Sequence, residues 1–288
     1  MIKKLNGLCL ATITAGLLAS SCSQPAKVQA SGGGSGEFKT LVWSDEFDRD
    51  GLPDSTKWSY QEGFVRNNEE QYYTTARTEN ARVAGGHLII EGRKEKFANA
   101  FHQPGSNEWQ FHPDSASYTS ACIVTQGKAS WTYGRIEVRA KLPRGMGVWP
   151  AIWTLGDNEP VIGWPRCGEI DIMEFVGHDS ARVHGNAHYE DPQKKKHTSM
   201  MGTKSEVSPT DGFHIYAIEW KDDRIDFYYD EHRFHTFPLD NAGVGKENAF
   251  RKPHFLLLNL ALGGAWGGKI DDAIFPQSYI LDYVRVFQ

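Results

Sequence analysis

The stretch WPRCGEIDIMEFVGH, Trp164 to His178, sets three carboxylic acids among apolar residues. Glu169, Asp171 and Glu174 stand among Ile170, Ile172, Met173 and Phe175. The run reads as a strand with one face in a core, on which successive side chains point to opposite faces. Glu169 and Asp171 then share a face. Glu174 lies five residues after Glu169, an odd step, so a regular strand would turn it into the core. An unpaired carboxylate there is very costly. One extra residue near Ile172 or Met173, a β-bulge, restores the parity and brings all three acids to one face. Bulges are over-represented beside active sites, where they re-aim side chains.

With the bulge, Glu169 and Glu174 sit roughly 13 Å apart at Cα. Two Glu side chains leaning inward can close this toward the ~5–5.5 Å at which one carboxylate attacks an anomeric carbon while the other protonates the leaving oxygen. Asp171 between them can hydrogen-bond the attacking group. Like-charge coupling can keep the acid protonated near neutral pH. A solvated acidic stripe would explain neither the odd spacing nor the nearby tryptophans; a calcium site built from the same acids stays open.

The elements that must position these acids also read as strands. RIEVRAKL alternates Ile136, Val138, Ala140 and Leu142 against Arg135, Glu137, Arg139 and Lys141. HIYAIEW and RIDFYYD alternate too, and a polar turn leads the second into EHRFHTF. FLLLNLAL is a continuous apolar run, as in a strand buried on both faces. YILDYVRVF closes the chain. No long stretch keeps helical periodicity with caps. Many short strands punctuated by Gly, Pro, Asn and Asp predict an all-β fold. Its length suits a jelly-roll sandwich of two curved antiparallel sheets with a concave face.

Composition narrows the partners. The chain has 288 residues, a net charge of −5 and nine Trp. There is no basic field to hold a nucleic acid, and the aromatic content suits a surface that stacks on something flat. MIKK followed by LCLATITAGLLA reads as a signal peptide over 1–21, too short to span a bilayer. LLASSC resembles a lipobox, so lipidation of Cys22 is expected, with membrane contact only through that anchor. A plain secretory signal is the competing reading. A low-complexity tether follows over 22–37, then one domain over 38–288. The expectation is an exported bacterial lipoprotein of the outer membrane, acting as a monomer. Cys122 and Cys167 remain after export and read as free, buried thiols rather than a disulfide.

GEIDIME, within the Trp164–His178 stretch, resembles the bulged signature of glycoside hydrolase family 16. Over roughly Leu41 to Gln288, WSDEFD, NNEEQYYT, GRIEVRAKLPRGMGVWPAIWTL, NLALGG and LDYVRVF are similar to family landmarks in family order. The resemblance implies a concanavalin A-like jelly roll with a glycan cleft. It also implies Glu169 as nucleophile, Asp171 as its helper and Glu174 as acid/base. The implied activity is endo-acting, retaining hydrolysis of β-1,3- or mixed-linkage β-1,3/1,4-glucans such as laminarin, cereal β-glucan and lichenan. A family 16 galactanase (agarase, porphyranase or carrageenase) is the alternative on the same fold. Arg66 and Arg166 are the clear cations near the cleft, few for a sulfated substrate. A glycan-binding lipoprotein without catalysis would keep the tryptophans and dispense with the acid pair. Transglycosylation would use the same covalent intermediate.

Trp149 and Trp153 are four apart in GVWPAIWTL and share a strand face, either as core residues or as an aromatic wall for a sugar ring. The resemblance implies substrate binding by both. It implies the same for Trp164 in the loop feeding the acidic strand, for Asn67 and for His188. In RVHGNAHYE, His184, Asn186 and His188 fall on one face. Trp266 is expected at the cleft floor, although Ala265-Trp266-Gly267 departs from the usual Trp-Pro and leaves the loop's shape open. No cofactor is expected for catalysis. The resemblance implies a structural Ca²⁺ away from the cleft on Glu46, the Gly86 carbonyl and Asp282, an oxygen-only set that suits the ion. A salt bridge between Asp282 and Arg285 or another cation is the competing reading.

Overall fold

Strands carry the described residues, 37–288, of the computed structural model. The signal segment, Cys22 and the tether up to residue 36 lie outside them. Two sheets face each other across a core. Pairing among the described strands is antiparallel, except where Gln71–Tyr73 runs parallel to Ser115–Ser120. Helical structure is confined to single turns such as Glu159–Ile162 and Gly264–Gly267. The jelly-roll expectation is met.

The sheet that bears the acids has a simple order from edge to edge. His197–Ser199 pairs with Arg182–Glu190, then come Glu169–Glu174, Val148–Gly156, His254–Leu262, Cys122–Val124 and Ser59–Gln61. Gly202–Ser205 extends the first edge beside Arg182–Glu190. All nine residues of His254–Leu262 are buried, as the unbroken apolar run predicts for a central strand. Ile152, Ile170, Leu256, Leu258 and Leu260 point the other way from the acids, into the inter-sheet core.

The second sheet holds the alternating strands. Gly134–Lys141 lies between His214–Trp220 and Gln277–Phe287, and Arg224–Tyr229 pairs with His232–Pro238. The alternation of RIEVRAKL holds, yet its polar face is not simply solvated. Glu137 is 1% exposed, accepting from Arg135 Nε at 3.0 Å and from the Tyr283 hydroxyl at 2.8 Å. Cross-strand aromatic rings cover these charges, and charge-assisted bonds offset the desolvation.

The bulge is present where parity requires it. Against Val148–Gly156, Asp171 pairs with Trp153, Met173 with Ile152 and Glu174 with Ala151, which leaves Ile172 as the extra residue. Against Arg182–Glu190, Asp171 meets Asn186 and Glu174 meets His184. Ile172 and Met173 are each 1% exposed and pack in the core. Two consecutive apolar side chains are thus buried, and Glu174 returns to the face of Glu169 and Asp171. Cys122 and Cys167 are free and buried.

Candidate active site

The bulged strand sets the three acids at the floor of a cleft of about 720 Å³, a usual size for a ligand site. Glu169 stands opposite His188 on one neighbouring strand and Leu155 on the other. His188 Nε2 lies 3.3 Å from Asp171 Oδ2 and 3.9 Å from Glu169 Oε1. Glu174 Oε1 accepts a hydrogen bond from Trp149 Nε1 at 3.1 Å. Glu169 and Asp171 are hydrogen-bonded to each other, so they share a proton. Asp171 is 2% exposed, and its Oδ2 has no hydrogen-bond partner.

Burial raises the proton affinity of all three acids, and mutual repulsion raises it further. For Glu169 the repelling charge is Asp171, opposed by His188 and Arg66. For Glu174 it is Glu169, opposed by His188 and the Trp149 N–H. For Asp171 it is Glu174. The site titrates as one cluster. It can hold a proton on one carboxyl and a negative charge on another near neutral pH, as acid and nucleophile require.

This has a cost in stability. The folded chain binds these protons more tightly than the unfolded chain, so νN exceeds νU between the ordinary carboxylate pKa and the raised value. Stability therefore falls as pH climbs through that window. Glu174→Gln removes one such penalty. Its Tm should exceed the parent's by roughly 2–6 °C at pH 7, and the gain should vanish toward pH 4. Calorimetry at the two pH values checks this; an unchanged or lower Tm at pH 7 would contradict it.

The Trp149 hydrogen bond offers a second check. Trp149→Phe removes a donor that stabilises the Glu174 carboxylate. The acid should then stay protonated to higher pH, moving the basic limb of the kcat/KM profile upward by about 0.4–1 unit. A limb that stays or moves down would contradict the role of this contact.

Every residue expected to bind substrate lines this cleft: Asn67, Trp149, Trp153, Trp164, His188 and Trp266. Their manner differs from the expectation in part. Trp149 and Trp153 are 9% and 7% exposed, so they form a floor rather than open platforms. Arg66 places its guanidinium carbon 4.8 Å from the centre of the Trp153 ring, and Trp153 Nε1 donates to Asn259 Oδ1 at 2.7 Å. Trp164, 48% exposed, stands at the rim. Trp266 meets Trp149 edge-on, with ring centres 5.6 Å apart. The loop that carries Trp266 is held by Ala265 N–H, which donates to the Asn67 carbonyl at 2.9 Å. Gly263 and Gly264 permit that approach: both have positive φ, and a Cβ on Gly264 would stand 3.0 Å from the Asn67 oxygen.

The family model for glycosyl hydrolases family 16 matches residues 68–285. The chain belongs to glycoside hydrolase family 16. It is similar to a β-glucanase of Rhodothermus marinus, 45% identical over 263 residues that cover 86% of this chain and 85% of that one. The solved structure of the laminarinase from Rhodothermus marinus superposes with a TM-score of 0.75 at 44% identity, covering 86% of this chain and 97% of that one. A solved variant of a non-specific endo-β-1,3(4)-glucanase of the family has a TM-score of 0.74 at 40% identity, covering 88% of this chain and 95% of that one.

On this family 16 fold the structure adds cleft residues that the sequence reading passed over. Glu69 is 3% exposed and accepts from Gln71 Nε2 at 2.7 Å, the Tyr73 hydroxyl at 3.1 Å and Asn67 Nδ2 at 3.3 Å. Asn259 Nδ2 donates to the Tyr73 hydroxyl at 2.9 Å, which links Glu69 to Trp153 in one buried network. The alternation of Glu69, Gln71 and Tyr73 was the signal that could have found it. Glu70, exposed, lies on the other side of that alternation. Arg166, the second cation considered, bonds the Ile162 carbonyl and is not among the cleft-lining residues. His184 Nδ1 faces Thr203 Oγ1 at 3.0 Å, and its ring lies beside Trp266.

Of the residues expected to hold calcium, Glu46 and Asp282 each face a guanidinium. Glu46 takes Arg285 through both carboxylate oxygens, at 3.0 and 2.9 Å. Asp282 accepts from Arg139 at 2.6 Å and lies 3.6 Å from His87 Nε2. Guanidinium groups thus take up both carboxylates. Gly86 lies in the turn before His87–Ala98, with φ of 78°.

Proposed function

We propose that this family 16 enzyme is an endo-β-1,3(4)-glucanase that acts by double displacement. The observation that carries the reading is the bulge at Ile172, which turns Glu169, Asp171 and Glu174 together into a tryptophan-lined cleft. A glycan-binding protein would need the aromatic residues alone. It would have no use for buried acids whose repulsion costs stability.

Glu169 attacks the anomeric carbon while Glu174 gives its proton to the glycosidic oxygen, and the aglycone leaves. The sugar is then held as an ester of Glu169. Glu174, now a carboxylate, takes a proton from water; the water oxygen bonds the anomeric carbon and the ester bond breaks. Asp171 holds Glu169 through their shared proton. His188 and Arg66 oppose the rise in Glu169 proton affinity that burial and Asp171 cause, and its pKa stands at about 8.

Two features support the substrate. Cleft-lining residues run from Gln61 on one edge strand to His197 on the opposite edge. The groove thus crosses the whole sheet, roughly 29 Å at the usual strand spacing, and a polymer can lie across it and be cut internally. The lining carries Glu69, Glu159, Glu169, Asp171 and Glu174 against Arg66 as its one permanent cation. Such a surface repels sulfated or uronic glycans and suits neutral glucans.

Product analysis on laminarin, mixed-linkage β-glucan, lichenan, agarose and cellulose tests the reading. Internal cuts in the first three that vanish with Glu169→Gln are expected. Cuts only in agarose would keep the chemistry and overturn the substrate; binding without cleavage would overturn both. The MIKK–LLASSC segment supports an exported lipoprotein anchored through Cys22. Palmitate labelling lost in Cys22→Ala would test the anchor.

A further inference from the structure

His188 touches the catalytic carboxyls, and a second histidine stands behind it. His197 begins the edge strand His197–Ser199 and sits diagonally across from His188, whose direct partner is Ser199. Such diagonal neighbours share a sheet face. His197 Nε2 lies 2.8 Å from His188 Nδ1, with the rings tilted by only 11°. On its other side His197 meets the Trp164 ring, centre to centre 4.5 Å.

The neighbours of His188 determine where its proton sits. Asn186 Oδ1 accepts the Ala187 N–H at 3.0 Å, which fixes the amide's orientation. Asn186 Nδ2, a donor, therefore faces His188 Nε2 at 2.8 Å, which favours a lone pair at Nε2. A neutral His188 then carries its proton on Nδ1, aimed at His197 Nε2. His197 can accept because burial and the adjacent His188 hold its pKa below the usual histidine value, leaving it neutral near pH 7. The groups facing His188 are Glu169 and Asp171 from the acidic strand, Asn186 from its own strand, His197 from the edge strand and Trp164 from the loop.

We propose that His197 is a positioning residue: by accepting from His188 Nδ1 it keeps the His188 lone pair, rather than an N–H, turned toward Asp171 and Glu169. This rests on the glucanase reading for its kinetic consequence but not for its structural one. Without an acceptor at Nδ1, His188 would turn to the Nε2–H tautomer and donate to the unpartnered Asp171 Oδ2. That donor would stabilise the carboxylates and loosen the proton shared by Glu169 and Asp171. The pattern matches the general rule that the bond on one imidazole nitrogen sets what the other presents.

The test is ¹⁵N NMR of the histidine side chains in the full domain, with His197→Ala and His197→Gln beside the parent. The parent should show His188 protonated at Nδ1 near pH 7. His197→Ala should move the proton to Nε2, shift the acid limb of the kcat/KM profile to lower pH and lower kcat/KM about tenfold, as losses of orienting partners do. His197→Gln, whose amide oxygen can accept, should keep the Nδ1 proton and most of the rate. It also serves if the alanine variant does not fold. A parent His188 protonated at Nε2, or a tautomer and profile unchanged in His197→Ala, would overturn the proposal. If the parent cleaves no glucan, the tautomer result still decides the role of His197, and only the functional reading fails.

Discussion

Replacing Glu169 by alanine is expected to lower glucan hydrolysis by on the order of 10⁴-fold or more, because the covalent route loses the atom that forms the ester. The protein should remain folded, since a buried carboxylate with raised proton affinity destabilises rather than supports the fold at neutral pH. Azide should restore cleavage of an activated glycoside. It would occupy the space left by the carboxylate and attack from the same side, so one displacement gives an α-glycosyl azide. A β-azide would assign the nucleophile elsewhere. Mass and anomeric coupling of the product, read by NMR, settle it.

Replacing Glu174 by alanine should act differently. Natural glucans have poor leaving groups and need the proton, so their hydrolysis should fall by about 10²–10⁴-fold. An aryl glycoside whose leaving group needs no proton should still form the glycosyl-enzyme at a near-parental rate and then stall. Azide should release the stalled intermediate as the β-glycosyl azide, after two displacements. The two variants thus give azides of opposite configuration. If the configurations are exchanged, the roles of Glu169 and Glu174 are exchanged. If neither variant responds to azide and both retain activity, the acids are not the reacting groups.

The catalytic strand was legible in the sequence because parity on a strand is a hard constraint. An odd step from Glu169 to Glu174 allowed either a buried charge or a bulge, and the register breaks after Asp171 as the cheaper solution demands. The central strand His254–Leu262 was equally plain from its unbroken apolar run. The side-chain partners around the site were less so. Trp149 and Trp153 share the expected face, but only the fold shows that Arg66, distant in sequence, lies over Trp153. Glu69 joins Trp153 through Tyr73 and Asn259, a path in which two of the three steps span more than 100 residues. His197 sits in the polar run QKKKHTS, where nothing local marks it as the partner of His188. Glu46 and Asp282 show the same limit: nothing local marks Arg285 and Arg139 as the cations that face them.

Proton NMR of laminarin hydrolysis, followed from the first minutes before mutarotation, tests double displacement by these carboxylates most directly. The new reducing ends should emerge as the β-anomer, with the α signal growing only as the products equilibrate. First appearance of the α-anomer would mean that water attacks the sugar directly, and the nucleophilic role of Glu169 would fall.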